Sequence, residues 1–166
     1  MRNYITTVIE VAAVSFFGMM AGFFFAFAID VVPAMMNLDA SGYTTTQQWI
    51  NRVVRDAVFG GVYFGSALLP FLASTAMLWA GERRRALAWL ALAVVYFGAV
   101  FWLTRTVNVP INNELATWNP AAPPEAWTQA RDAWNAANLT RTLAAASCFI
   151  MSAILLSLPR RLTRGA

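Results

Sequence analysis

The residues of this chain that are best suited to chemistry are arginines, asparagines and tryptophans that recur at helical spacing. One series reads Trp127, Arg131, Trp134, Asn138 and Arg141, with steps of three and four residues. Such steps place side chains on one face of a helix. Arginine neutralises a developing oxyanion or stacks on a ring, asparagine donates and accepts hydrogen bonds, and tryptophan offers a flat apolar surface. The series predicts a binding face for a planar aromatic molecule that carries oxygen.

A second series lies at the end of the preceding apolar segment. Arg105, Asn108 and Asn112 share a helical face, together with residues 101 and 115, provided that Pro110 kinks the helix without ending it. Arg105 and Arg141 lie at or inside the ends of apolar segments, where an ionisable group is costly and marks a functional site by default. Two helices joined by one loop would then turn their polar faces towards each other.

Each of these residues also has a simpler interpretation. Tryptophan and arginine gather at membrane interfaces, and asparagine caps helices and fills turns. Taken singly, Trp127, Arg131 and Asn112 could each be interfacial residues without a function. The joint pattern of these residues favours a functional site. Two carboxylates, Asp30 and Asp56, border the other outer loop; either could pair with the arginines or, if buried, act as a general base.

The composition shows which elements must position these side chains. Of the 166 residues, 59% are hydrophobic and 12% are charged, and the mean hydropathy is +0.54. Four apolar runs cover residues 5–32, 57–80, 86–107 and 139–158, and about 20 residues suffice to cross a bilayer. None shows the alternation of barrel strands. We predict an all-α integral membrane protein, a single four-helix bundle over residues 1–166, with outer loops 33–56 and 108–138.

Short extra helices are expected in both outer loops. In the first, threonines 44–46 would cap a helix whose apolar residues are Trp49, Ile50, Val53 and Val54, giving an amphipathic segment on the outer surface. In the second, a helix starting near Pro124 is expected to continue unbroken into the fourth span. Glycines spaced four apart, Gly18 with Gly22 and Gly61 with Gly65, favour close packing of the first two spans.

The arginines predict the orientation, since the chain has no lysine. Seven of them fall on one side of four alternating spans: Arg2, Arg83, Arg84, Arg85, Arg160, Arg161 and Arg164. The positive-inside rule predicts that this side is cytoplasmic. Both termini would then lie on the cytoplasmic side of a plasma membrane. These basic segments are too short for a nucleic-acid-binding module, so no nucleic-acid partner is expected. Glu10, near the cytoplasmic end of the first span, is predicted to pair with Arg2 or with the Arg83–Arg85 turn.

Several kinds of cofactor are excluded by composition. The chain has no histidine and one cysteine, Cys148. Histidine-ligated haem, copper and zinc and an intramolecular disulfide are therefore ruled out. We expect no metal site and no cofactor.

Three segments together carry a family resemblance. They are residues 22–34 in the first span, the stretch Asn108-Val109-Pro110-Ile111-Asn112-Asn113-Glu114-Leu115, and the series from Trp127 to Arg141. They resemble the small four-helix membrane family that includes the anthrone oxygenases of polyketide pathways, over nearly the whole chain.

This resemblance implies oxidation of an anthrone-type phenol to a quinone by O2, without metal or flavin. In that scheme Arg105 and Arg141 would hold the oxyanion and Trp134 would stack on the substrate. Asp30 would be the base. Asparagines would orient the carbonyl or peroxide oxygens: Asn108, Asn112 and Asn138. The remaining predicted substrate contacts are Trp127, Arg131 and Pro110.

Two classes of function stay open at this point. The first is a cofactor-independent oxygenase acting on a hydrophobic anthrone- or quinol-type molecule that enters from the bilayer. The alternative is a non-catalytic bundle that binds a lipid, quinone or pigment, or an accessory subunit of a larger membrane complex; a homo-oligomer is also open. An enzyme should arrange Arg105 and Arg141 around a cavity, whereas an accessory subunit should neutralise them by internal salt bridges.

Overall fold

Five helices account for most of the chain in the computed structural model, which describes residues 2–159. Helix α1 covers residues 2–35 and consists of Arg2–Ala26, a π-helical turn Phe27–Val31 and a final turn Val32–Met35. The others are α2 (Ala40–Val53), α3 (Ala57–Ala80), α4 (Arg83–Leu115) and α5 (Trp127–Ser157). Helices α1, α3, α4 and α5 are long and apolar enough to cross a membrane. The predicted all-helical membrane bundle is confirmed, and no strand occurs within the described range.

Part of the orientation prediction lies outside the described residues. Arg160, Arg161 and Arg164 follow the last described residue, and the side chain of Arg2 is not described either. The turn Gly81–Glu82 joins α3 to α4, and Gly81 adopts the left-handed conformation, with φ of 84°, that glycine tolerates without strain.

At the end of the bundle near α2, helices α4 and α5 extend beyond the predicted apolar runs. Helix α4 continues past residue 107 to Leu115, and α5 begins at Trp127 rather than near 139. Two π-helical stretches, Phe97–Trp102 and Thr104–Asn108, precede Pro110. Pro110 lies in the first turn of the α-helical stretch that follows them, where a missing N–H costs least. Residues 108–115 and 127–138 of the second loop are therefore helical, and the loop proper is 116–126. The helix predicted to start near Pro124 and to continue unbroken into the fourth span is confirmed, with its first residue at Trp127.

Two of the four paired glycines lie at close contacts between helices. A Cβ at Gly65 would meet the ring of Phe16 on α1, so this glycine does allow α1 and α3 to approach. A Cβ at Gly18 would lie 2.9 Å from the ring of Phe149, which belongs to α5. Gly22 and Gly61 have open space instead. Of these four glycines, Gly65 lies at the predicted contact between the first two spans, whereas Gly18 lies against α5.

A buried ion pair joins three helices at the end of the bundle remote from α2. Glu10 of α1 is fully buried and pairs with Arg85 of α4 at 2.5 Å. The indole N–H of Trp89 donates to the same carboxylate at 2.7 Å, and Arg85 also donates to the carbonyl of Leu158 at 3.1 Å. The predicted pairing of Glu10 with the Arg83–Arg85 turn is confirmed.

Helix α2 covers the other end of the bundle and starts earlier than predicted. Its N-cap is Asp39, whose carboxylate accepts from the backbone N–H of Gly42 at 2.8 Å, so the threonines are not the cap. Gln48 attaches α2 to the end of α4 by donating to the carbonyl of Leu115 at 2.9 Å. The apolar residue Trp49 is 56% exposed. The buried residues of α2 are Tyr43, Thr44, Gln47 and Asn51, so polar groups as well as an aromatic ring point into the protein.

Candidate active site beneath helix α2

A cavity of about 440 Å³ lies where α2 meets the four spanning helices. This volume falls within the range of small-molecule sites, about 300–1,000 Å³. All five helices contribute to the wall. Its lining consists of Phe23, Phe24, Phe27, Ile50, Asn51, Val54, Arg55, Asp56, Phe59, Gly60, Tyr63, Phe64, Thr104, Arg105, Val109, Asn112, Asn113, Trp134 and Arg141.

One side of the cavity is built of aromatic rings from α1 and α3. Phe59 and Tyr63 stack with centroids 6.0 Å apart and planes 13° apart. Phe27, in the π-helical turn of α1, packs against Trp134 at 5.3 Å. Phe64 is 53% exposed on the apolar surface of the bundle. The aromatic wall thus continues to the exposed apolar surface of the bundle.

Arg141 provides a buried positive charge on the cavity wall. Only 7% of it is exposed, and its guanidinium lies between the rings of Phe24 and Trp134, at 4.7 and 4.9 Å from their centroids. Its Nε donates to Oδ1 of Asn138 at 3.1 Å, and one terminal nitrogen contacts the hydroxyl of Thr104 at 3.4 Å. No carboxylate pairs with it among residues 2–159. The charge therefore remains available to an anionic or carbonyl oxygen.

Asparagines of α4 connect this wall to α5. Trp134 donates its indole N–H to Oδ1 of Asn112 at 2.8 Å. This bond leaves the amide nitrogen of Asn112, which lines the cavity, free to donate to a ligand. Asn108 is fully buried, and its amide nitrogen donates to the backbone carbonyl of Trp134 at 3.2 Å. Asn108 therefore helps to position Trp134 through the backbone of that residue.

The rim towards α2 carries the remaining charged groups. Arg55 donates to Oδ1 of Asn113 at 3.2 Å. Asp56, the N-cap of α3, accepts from the backbone N–H of Phe59 at 2.7 Å through Oδ1, and its second oxygen has no hydrogen-bond partner in the described range. Asp56 is the carboxylate among the lining residues, and Arg55, Arg105 and Arg141 are the cations. The site therefore has a net positive charge.

The structure brings together four of the predicted residues, Arg105, Asn112, Trp134 and Arg141, on the cavity wall. Asn138 lies one step behind them and contacts Arg141. Helix α4 departs from the predicted face because its π turns change the phase of the helix: Asn108 points into the protein interior, while positions 104, 109 and 113 line the cavity instead.

Asp30 and Pro110 do not line the cavity. Asp30 lies in the π-helical turn of α1 and is exposed. Pro110 is exposed on α4. The carboxylate that borders the site is Asp56, at the other end of the same loop.

Trp127 and Arg131 belong to a second cluster at the start of α5. Trp127 packs on Tyr43 of α2 with centroids 5.4 Å apart, and the guanidinium of Arg131 lies 4.9 Å from the indole centroid. Arg131 pairs with Asp132 at 2.8 Å. Burial raises the pKa of Tyr43 to about 12, with Arg131 opposing the shift. These residues attach α2 to α5 and lie outside the cavity lining.

Sequence analysis named Asp56 but missed the aromatic residues of α3 and the polar residues of α2. Asp56, Phe59 and Tyr63 follow the same steps of three and four that marked α5. In α2, Gln47 and Asn51 are four apart. The spacing could have revealed both series. However, phenylalanines in the span of α3 are typical of a hydrophobic core. Polar residues next to exposed apolar residues, as in α2, are typical of a face in contact with solvent.

A family model described as anthrone oxygenase matches residues 56–151 of the chain. The match covers more than half of the sequence and includes α3, α4 and most of α5. It contains Arg105, Asn112, Trp134 and Arg141, whereas α1 and α2 precede it. The chain matches no curated protein and no solved structure.

Proposed function

The chain belongs to the anthrone oxygenase family, and from this premise we propose that it oxidises an anthrone- or quinol-type aromatic molecule with O2, without a bound cofactor. The observation that carries the proposal is the buried guanidinium of Arg141, held between two rings on the wall of an aromatic cavity and unpaired with any described carboxylate. An uncompensated buried charge is costly. A ligand that brings an oxyanion would offset this cost.

The cavity provides separate surfaces for the ring system and for its oxygen. A planar tricyclic ketone would lie against the rings of Phe59 and Tyr63 on one side and Trp134 on the other. Its carbonyl oxygen would accept from Arg141 and from the amide nitrogen of Asn112. Asn138 and Thr104 accept hydrogen bonds from two nitrogens of the Arg141 guanidinium. These bonds hold the guanidinium in place, so its remaining N–H groups are oriented before the substrate arrives.

The reaction begins with loss of a proton from the benzylic carbon opposite the carbonyl. We assign the base to Asp56, whose second carboxylate oxygen faces no described donor. The resulting enolate places negative charge on the carbonyl oxygen, where Arg141 stabilises it in a site of low dielectric.

The electron-rich enolate then transfers one electron to O2, and recombination of the two radicals forms a carbon–oxygen bond at the benzylic carbon. Protonation gives a hydroperoxide. Loss of the second benzylic proton, with cleavage of the O–O bond, releases water and leaves a second carbonyl. One anthrone and one O2 thus yield one quinone and one water, with O2 as the only oxidant.

We also propose an orientation for the site. The basic turn Arg83–Arg85 and the cavity residue Arg105 are about 20 residues apart on α4, or about 30 Å along a helix axis. By the positive-inside rule the turn faces the cytoplasm. The cavity then opens at the outer leaflet of a plasma membrane, beneath α2.

The test is a measurement of O2 uptake and of quinone absorbance with anthrone and the purified protein. We expect one O2 consumed for each quinone formed, without hydrogen peroxide, at a rate above the spontaneous oxidation in detergent. The Arg84→Ala variant, changed at an exposed arginine of the opposite end, is the control and should keep this rate. A bound chromophore with no turnover would instead favour a non-catalytic quinone- or pigment-binding protein.

A further inference from the structure

Helices α3 and α4 separate in the half of the bundle that holds the cavity. Along Arg83–Tyr96, α4 packs closely against α3. From Phe97 onwards it packs instead against α5 and then α2, so the separation begins where the first π-helical stretch of α4 begins. Aromatic side chains span the space between the two backbones, since Phe101 stacks on Tyr63 with centroids 5.3 Å apart. The cavity therefore lies next to a gap between α3 and α4.

Two facing stripes of side chains border this gap. Each helix contributes three cavity-lining residues spaced four apart, which are Asp56, Gly60 and Phe64 on α3 and Arg105, Val109 and Asn113 on α4. All of them except Gly60 and Val109 are exposed on the surface of the protein. Residues that both line the cavity and reach the surface mark an opening. We call this opening the lateral slot; eight residues of helix make it about 12 Å long.

Both ends of the lateral slot are closed. At the end near α2, Arg55 donates to Oδ1 of Asn113 at 3.2 Å. At the other end the rings of Phe64 and Phe101 lie 5.9 Å apart. One turn further from α2, Leu68 and Trp102 are 63% and 59% exposed on the surface of the two spanning helices. The slot therefore opens onto the apolar surface of the bundle at the level of its polar rim.

Gly60 lies in the middle of the α3 border of the slot. A Cβ at this position would meet no atom within 4 Å. The missing side chain therefore leaves the centre of the slot open. The next residue, Gly61, also faces open space, but it does not line the cavity. The two neighbouring glycines thus differ in whether an added side chain would stand between the cavity and the surface.

We propose that the ligand enters and leaves the cavity through the lateral slot, and that Gly60 keeps this passage open. The ligand class is a planar aromatic molecule that moves edge-on between α3 and α4 from the apolar surroundings of the bundle. This inference rests on the proposed function, because that function places a flat aromatic ketone in the cavity. Gly60 acts on passage and takes no part in the bond changes.

Binding kinetics of an unreactive mimic test the slot without turnover. Xanthone keeps the tricyclic ketone but has a ring oxygen in place of the oxidisable methylene. Stopped-flow quenching of tryptophan fluorescence in detergent gives its association and dissociation rate constants. In Gly60→Leu both constants should fall about tenfold or more, because the added side chain obstructs passage in both directions. Their ratio, the Kd, should stay within about threefold of the wild-type value.

Three further variants sharpen the test. Gly61→Leu is the matched control, because it adds the same side chain outside the slot, and it should keep both rate constants. Gly60→Ala is a smaller obstruction that should lower both constants about twofold, and it carries the test if leucine prevents folding. Ala116→Leu narrows a polar cleft of about 310 Å³ between α2 and the loop 116–126, which is the other route to the cavity, and should leave both constants unchanged.

Several results would overturn the inference and leave the proposed function standing. They are wild-type rate constants in the Gly60 variants, equal slowing in Gly61→Leu, and slowing in Ala116→Leu alone. A weaker affinity of Gly60→Leu with an unchanged association rate constant would also overturn it, because Gly60 would then only line the cavity. Failure of the wild-type protein to bind xanthone overturns both the inference and the proposed function.

Discussion

Replacing Arg141 by methionine should separate function from stability in this protein. The guanidinium is the buried cation that the proposed reaction uses to stabilise the enolate oxygen. Removing one preorganised donor of this kind typically lowers turnover about 100- to 1,000-fold. Methionine is flexible and apolar, so it can fill much of the space between the two flanking rings without a charge.

The same change should have little effect on the free energy of unfolding, because the loss of stabilising contacts is offset by the removal of a buried charge. Methionine loses two cation–π contacts, with Phe24 and Trp134, worth about 1–4 kcal/mol together. It also leaves Oδ1 of Asn138 without its donor, at a cost of about 1–3 kcal/mol. Against these stands the removal of a buried unpaired charge, whose desolvation costs several kcal/mol. The terms nearly cancel, and the melting temperature should change by only a few degrees.

The assay compares two quantities on the same preparations. Quinone formation from anthrone gives kcat and KM, and a thermal melt in detergent followed by size-exclusion chromatography gives stability. Arg141→Lys keeps the charge but lacks the planar fork, so it should recover only part of the activity. Arg84→Ala is the control, because it removes an exposed arginine at the end of the bundle opposite the cavity.

Two results would contradict this role of Arg141. Turnover of Arg141→Met within tenfold of wild type would show that the guanidinium does not stabilise the reacting oxygen. A large loss of melting temperature together with lost activity would show that Arg141 is mainly a structural residue.

Three further changes test other parts of the molecule. Asp56→Asn should slow quinone formation about 100-fold or more, as for loss of a general base, while the melting temperature stays constant because asparagine caps helices as well as aspartate does. Glu10→Ala leaves Arg85 buried and unpaired and should cost about 3–5 kcal/mol, seen as a lower melting temperature; the double change Glu10→Met with Arg85→Met should recover much of that loss. Gly65→Ala forces a neighbouring ring to move and should cost about 1–3 kcal/mol, whereas Gly61→Ala, which meets open space, should be neutral or slightly stabilising.

Each of these has an outcome that contradicts it. Full activity in Asp56→Asn would remove that residue from the mechanism. A single change at Glu10 that melts like wild type would mean that the ion pair adds no stability. Equal melting temperatures for the two glycine variants would show that the α1–α3 contact adapts without cost.

The π-helical turns explain why part of the site could not be read from spacing. A regular helix through residues 101–115 places Arg105 and Asn108 on one face. The extra residue in each π turn changes the phase, so Arg105 borders the cavity while Asn108 is fully buried behind Trp134.

The four spans, the family and the importance of Arg105 and Arg141 could be predicted from the amino-acid sequence alone. Lipid cannot satisfy backbone polar groups, so long apolar runs without alternation must be helices. Which side chains meet depends instead on how the helices pack. Arg141 lies near the rings of Phe24 and Trp134, and Asp56 rather than Asp30 borders the cavity. These contacts join residues far apart in the chain, and their geometry depends on the packing of all five helices.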